Sequence, residues 1–130
     1  VIDDEPGDAR LVQKMLEEQG RFHVLVAEGG TNGWDAIQNH KPDAVILDLF
    51  MPDMDGFTLI SHLRADPNLR DLPVIVLTGA DLTTDQHQKL AEFGQQLLSK
   101  GYLRENELLN TLEESLRKLR TAPNAAVSTR

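Results

Sequence analysis

The sequence predicts an α/β protein, a doubly wound five-stranded parallel sheet with helices on both faces. Two apolar runs, AVILDL at 44–49 and LPVIVLTGA at 72–80, are continuous rather than alternating, as expected of strands covered on both faces. Segments with apolar residues at helical spacing lie between them, and strand and helix patterns alternate along the chain. Parallel neighbours need such crossovers, which are nearly always right-handed.

The chain opens on VIDDEP, which reads as the tail of a strand whose beginning is missing. From Asp8 to Gln19, Leu11, Val12, Met15 and Leu16 fall on one helical stripe that stops at Gly20. FHVLVAE (22–28) reads as a second strand. TNGWDAIQNH (31–40) reads as a short helix with Thr31 at its N-cap and Trp34 and Ile37 turned inward. After the third strand, GFTLISHLRAD supplies Phe57, Leu59, Ile60 and Leu63 at helical spacing, with Gly56 expected in a tight turn that Pro52 leads into. Strand four is followed by the amphipathic TTDQHQKLAEFG. QLLSK is a short fifth strand, and the last helix carries Leu108, Leu109, Leu112, Leu116 and Leu119 in register. The expected organisation is one domain over 1–120, with 121–130 a C-terminal tail or linker. Together with the missing strand start, this suggests an excerpt from a longer chain.

Composition excludes several classes. With 130 residues, 40% hydrophobic and 26% charged, the chain can bury one core. It has no cysteine, so disulfide and thiolate-metal scaffolds are excluded, and the cytoplasm is the default location. Its apolar runs fall well short of the roughly 18 residues that mark a membrane span. Twenty-one acidic against 13 basic residues give a net charge of −8, which argues against nucleic acid as a direct partner and for a cation or a basic protein surface.

Chemistry concentrates at the ends of the strands, where open α/β sheets bind ligands. Strand one ends in Asp3 and Asp4, strand three in Asp48, strand four in Thr78 and strand five in Lys100. Any one of these alone would be an ordinary turn, cap or surface residue, and their coincidence on one edge is what points to a site. If the strand order is 2-1-3-4-5, three carboxylates converge and, left bare, titrate upward. A hard divalent cation relieves them, and Mg²⁺ suits few carboxylates plus a phosphate-bearing ligand. The lysine offers a mobile positive charge and the threonine a hydroxyl to phosphoryl oxygens, and an aspartate can itself be the nucleophile that forms an acyl phosphate.

With its acidic pair in VIDDEP, the loop LDLFMPDMDG, the strand end VIVLTG and the lysine in LLSKG, the chain resembles the receiver domain of two-component response regulators, of flavodoxin-like fold, from residue 1 to about 120. The intervals between Asp4, Asp48, Thr78 and Lys100 match the family as well. The resemblance implies that Asp48 accepts a phosphoryl group from a phosphohistidine on a histidine kinase or phosphotransfer protein. Asp4, Asp48 and the carbonyl of Phe50 would bind Mg²⁺ directly and Asp3 largely through water. Thr78 and Lys100 would contact the phosphoryl oxygens, and movement of Thr78 would reshape the face of helix four, strand five and helix five. An effector domain in a longer chain and a homodimer through helix five and strand five are further implications. Such a domain is a signalling phosphoacceptor, not an enzyme acting on outside substrates.

Three positions depart from the family pattern. Leu97 stands where an aromatic switch residue is usual, Gly101 where proline follows the lysine, and Phe50, large and apolar, stands two residues after the acceptor, where it either screens an acyl phosphate from water or merely packs on the loop. Leu97 and Gly101 keep a phosphorylation-independent interaction module in view. A haloacid dehalogenase-type hydrolase would need an acid/base aspartate where Phe50 stands. The run DMDG is not a calcium loop, because the matching frame puts Met51 first and His62 twelfth. His23, His40, His62 and His87 lack close metal-ligand spacing.

Overall fold

The computed structural model describes residues 1–92, 96–100 and 104–121. In chain order these form α1 (Pro6–Glu17), α2 (Gly30–His40), β1 (Val45–Leu47), α3 (Gly56–Ala65), β2 (Val74–Thr78), α4 (Thr84–Glu92), β3 (Gln96–Ser99) and α5 (Glu105–Thr121). The strands are parallel in the order β1-β2-β3, with Val45 opposite Val74 and Val76 opposite Leu97.

Five strands were expected and three are present among the described residues. The first two expected strands are reduced to isolated parallel bridges, from Ile2 to Ala27 on one side and to Leu47 on the other. Pairing there runs only from Val1 to Asp3: Val1 donates to the Leu25 carbonyl, Ala27 N–H to Val1, and Asp3 N–H to Ala27. A strand needs a paired neighbour along its length. Residues 22–26 instead flank an open groove, where Leu25 and Val26 are exposed.

The continuous apolar runs lie between two packed faces. Val45, Leu47, Val74 and Val76 join Ile37 of α2, Phe57, Leu59, Ile60 and Leu63 of α3, and Leu90 of α4. The alternate residues Ile46, Ile75, Leu77 and Leu98 join Val12 and Leu16 of α1 and Leu108, Leu109 and Leu112 of α5. Side chains alternate across a strand, so one short run serves both cores. Leu97 packs against the first cluster, on the side of α3 and α4. Leu11 departs from the expected stripe: it is 54% exposed, and Ala9 takes the inward position beside Val12 and Leu16. Gly101, Leu119 and residues 122–130 of the expected tail lie outside what is described of side chains or backbone. The helix reaches Thr121, one residue beyond the boundary expected for the domain.

The start of α2 is capped from a distance. Its N-cap is Gly29, at φ 90°, not Thr31, and Asp53 of the loop after β1 accepts from Gly30 N at 3.1 Å and Thr31 N at 2.9 Å. A Cβ on Gly29 would stand 3.0 Å from the Asp53 carboxylate, so both the backbone angle and the contact require glycine there. The backbone and side-chain bonds from Thr31, with that from Gly30, hold the Asp53 carboxyl down at about 2 against an ordinary 3.8. A depressed carboxyl stabilises the fold fully above its ordinary value and loses that contribution as pH falls toward the folded one. Asp53→Ala is therefore expected to lower the melting temperature at neutral pH by a few degrees. The deficit should close between about pH 4 and pH 2, and thermal melts across that range check it.

Candidate functional site

Ile2 and Leu47 bridge in parallel, so the residues that follow them, Asp3 and Asp48, emerge together at the carboxyl edge of the sheet. Asp48 N–H donates to the Ile2 carbonyl at 2.9 Å and locks the two chain segments in register. Asp3 and Asp48 are buried and Asp4 is half-buried, and one carboxylate oxygen from each lies within 4.8 Å of the others. The convergence expected from the strand ends is present.

Lys100, next after β3, reaches into this cluster. Its Nζ lies 2.8 Å from Asp3 Oδ2, 3.0 Å from Asp8 Oδ2 and 3.6 Å from Asp48 Oδ2. The remaining oxygens are held by backbone: Asp3 Oδ1 accepts from Glu5 N and Asp48 Oδ1 from Leu49 N, each at 2.9 Å. Phe50 N–H also bonds the Asp48 carboxylate, while the residue is 41% exposed. Thr78 ends β2 with its side chain buried, and its hydroxyl accepts from Ala80 N at 3.3 Å. The turn after it runs along the lysine stem, since a Cβ on Gly79 would stand 3.7 Å from Cβ and Cδ of Lys100.

These contacts set the charges. Burial pushes the Asp48 carboxyl above the ordinary carboxylate range; the Lys100 charge opposes the rise, Asp3 adds to it, and the N–H groups of Leu49 and Phe50 oppose it. For Lys100, burial alone would lower the ammonium, but the bonds to Asp3 and Asp8 and the charges of Asp48 and Asp3 outweigh it and hold it above its ordinary value. Two carboxylates about 4 Å apart repel by roughly 4 kcal/mol at an effective dielectric constant near 20. Three carboxylates against one ammonium leave two negative charges uncompensated, apart from Asp8 at the rim. The donor set is all hard oxygen, small and partly enclosed, and it fits a divalent cation of the Mg²⁺ kind.

From the sequence alone, Asp8 marks only the start of a helix. It stands in the first turn of α1, where Pro6 opens the helix, and its 50% exposed carboxylate reaches Lys100. The available signal was an acid one helical turn beyond Asp4, on the end of α1 that faces the strand ends.

A family model described as the response regulator receiver domain matches residues 1–113. This chain belongs to that family. The receiver domain is 39% identical over 102 residues to the response regulator Rre1 of Synechocystis, covering 78% of this chain and 44% of the relative. It is 34% identical to the DNA-binding dual master transcriptional regulator RpaA of Synechocystis, over 97% of this chain and 52% of that protein. It thus spans about half the length of these two relatives. A shorter relative, the protein PilH of Pseudomonas aeruginosa, is 33% identical over 89% of this chain and 94% of its own length. Among solved structures, the signal receiver domain of a signal transduction histidine kinase from Syntrophus aciditrophicus superposes with a TM-score of 0.81. It is 26% identical, over 93% of this chain and 92% of that one. The receiver domain is a component of two-component phosphorelay signalling.

Proposed function

We propose that Asp48 is the phosphoacceptor, charged from a phosphohistidine on a histidine kinase or histidine phosphotransfer protein. The observation that carries this is the convergence of the Lys100 ammonium with the carboxylates of Asp3 and Asp48 at the ends of three different chain segments. An Asp48 oxygen forms the new bond to phosphorus as the P–N bond to the donor imidazole breaks, and that electron pair leaves with the imidazole nitrogen. Asp4, Asp48 and the Phe50 carbonyl would hold Mg²⁺ directly and Asp3 through water. When bound, the ion neutralises the charge that gathers on the transferred phosphoryl oxygens. Lys100 turns toward one phosphoryl oxygen and the Thr78 hydroxyl exchanges its bond with Ala80 N–H for another. That movement alters the face formed by α4, β3 and α5, a local charge change biasing a two-state element. Leu97 packs on the α3 and α4 side of β3, so the response passes through aliphatic packing instead of an aromatic side chain.

Finer topology and partners belong to the same reading. The bridges from Ile2 to Ala27 and Leu47 support a five-stranded order 2-1-3-4-5. An effector in the same longer chain, or a second receiver, would read the altered face. The net charge of −8 weighs against this domain touching DNA itself, and on this reading any contact with DNA, such as the name of the relative RpaA describes for that protein, would fall to an attached effector. No described helix is long and apolar enough to cross a membrane, which accords with a cytoplasmic domain.

Intact mass after incubation with acetyl phosphate tests the proposal. One Mg²⁺-dependent phosphoryl adduct is expected, and its absence from folded protein with both acetyl phosphate and a phosphohistidine donor would favour a phosphorylation-independent module. Phe50 is exposed and its backbone N–H bonds the Asp48 carboxylate, so on this reading its apolar side chain restricts attack by water on the acyl phosphate. Phe50→Asn should therefore shorten the lifetime of the adduct several-fold, measured as loss of the added mass with time, and an unchanged lifetime would remove the screening role.

A further inference from the structure

Lys100 is shared among three carboxylates, and the closest two are not on the acceptor. Its Nζ is nearer Asp3 and Asp8 than Asp48, by 2.8 and 3.0 Å against 3.6 Å. Asp3 is itself fixed by the Glu5 N–H and Asp8 by the first turn of α1, so both hold the ammonium from the α1 side of the pocket. Glu5, the N-cap of α1, makes no side-chain cap bond, and the Asp8 carboxylate, one turn into the helix, is directed at Lys100.

We propose that Asp8 is a positioning residue that anchors Lys100 in the resting domain and must release it when Asp48 is phosphorylated. This rests on the phosphoacceptor reading above. An ammonium drawn to Asp3 and Asp8 sits back from Asp48 at 3.6 Å, and moving it onto a phosphoryl oxygen there stretches its bond to Asp8, so that bond stabilises the resting state relative to the phosphorylated one. When acetyl phosphate is the donor, the new Asp48 O–P bond forms as the P–O bond to acetate breaks and the pair leaves on acetate. Lys100 then exchanges one carboxylate partner for a phosphoryl oxygen. Removing Asp8 removes a competitor for that ammonium. Because Asp8 is half exposed, the effect is modest: Asp8→Asn should raise the phosphorylated fraction at limiting acetyl phosphate about two- to fivefold, as expected for a solvent-screened ion pair.

The test is a double-mutant cycle. Wild type, Asp8→Asn, Lys100→Met and the double variant are compared by intact mass at fixed Mg²⁺ and limiting acetyl phosphate. The gain from Asp8→Asn is expected in the wild-type background and should vanish in the Lys100→Met background, with Asp8→Glu restoring wild-type behaviour. A gain that persists without Lys100 would overturn the anchor, because it would mean that Asp8 acts only through its general negative charge on an anionic donor. No gain in a wild-type background that does take up phosphoryl at Asp48 would overturn it too. Failure of wild type to take up phosphoryl from any donor would instead defeat the phosphoacceptor reading, and this proposal with it. A metal-free and donor-free readout stands beside these: hydrogen exchange of the ¹⁵N-labelled Lys100 ammonium should quicken in Asp8→Asn, and unchanged exchange would overturn the anchor.

Discussion

Asp48→Asn is expected to abolish phosphoryl uptake while raising the thermal stability of the metal-free domain. The two effects have one origin. A carboxylate that is buried at the end of β1, close to Asp3, is costly to ionise, and burial is the leading cause of its raised pKa. Lys100 lowers that cost without cancelling it. A carboxyl raised in the folded state contributes stability that is fully present below its ordinary value of 3.8 and is lost as pH rises through the folded value. At neutral pH the ionised Asp48 is thus a liability, one carried for function on the phosphoacceptor reading, and the isosteric amide removes it. The gain should be on the order of a few degrees in melting temperature, absent near pH 4 and present at neutral pH. Added Mg²⁺ should raise the wild-type melting temperature and leave the variant nearly unmoved, because ligand binding to the native state stabilises by mass action. Melting curves of both proteins with and without Mg²⁺ decide it. A variant less stable than wild type at neutral pH without metal would show that Asp48 is held by compensating bonds rather than strained by burial.

Gly56→Ala is expected to destabilise the domain by about 1 to 3 kcal/mol, the usual cost of overpacking a filled site. Helix propensity points the other way, since alanine in a helix is favoured over glycine by roughly 0.5 to 1 kcal/mol. Geometry decides. A Cβ on Gly56 would stand 2.7 Å from the Asp48 carbonyl oxygen and 2.8 Å from the Leu49 Cα, both backbone atoms that cannot swing aside. Gly56 N–H also donates to the Leu49 carbonyl at 2.7 Å, so the start of α3 is pressed directly on the Asp48–Leu49 segment. Relief requires α3 to lift from β1, which loosens Phe57 and Leu59 in the core and displaces Asp48. Urea unfolding should show a lower midpoint with an unchanged slope, and phosphoryl uptake should slow in parallel. An equal or higher midpoint would mean that the loop yields without cost.

The same glycine shows where sequence reading reaches and where it stops. Its importance was legible, but the expected reason was a tight turn, and the observed one is close approach of two backbones. The helices were legible because apolar spacing is local, and the inward positions of Val12, Leu16, Ile37, Phe57, Leu59, Ile60, Leu63, Leu108, Leu109 and Leu112 are met. The carboxylate cluster was legible because parallel strands bring their ends to one edge. FHVLVAE was legible only at its end, where Ala27 bridges Ile2, since strand identity depends on what lies beside it and not on composition alone. The remote cap from Asp53 and the Asp8 contact to Lys100 were also out of reach. Each joins residues far apart in sequence through a side chain, and no periodicity announces such a meeting.

The parallel ladders carry a consequence for the making of the protein. Val45 pairs with Val74 and Ile75 with Gln96, so no rung closes between adjacent segments, and Lys100 enters only after β3 has joined. Contacts of this separation form late, after loop closure has been overcome. On the ribosome, a nascent chain that has released Asp3 and Asp48 still lacks the cation that completes their surroundings. On the phosphoacceptor reading, unfinished or truncated chains stay deaf to the kinase, and only a fully assembled sheet is able to listen.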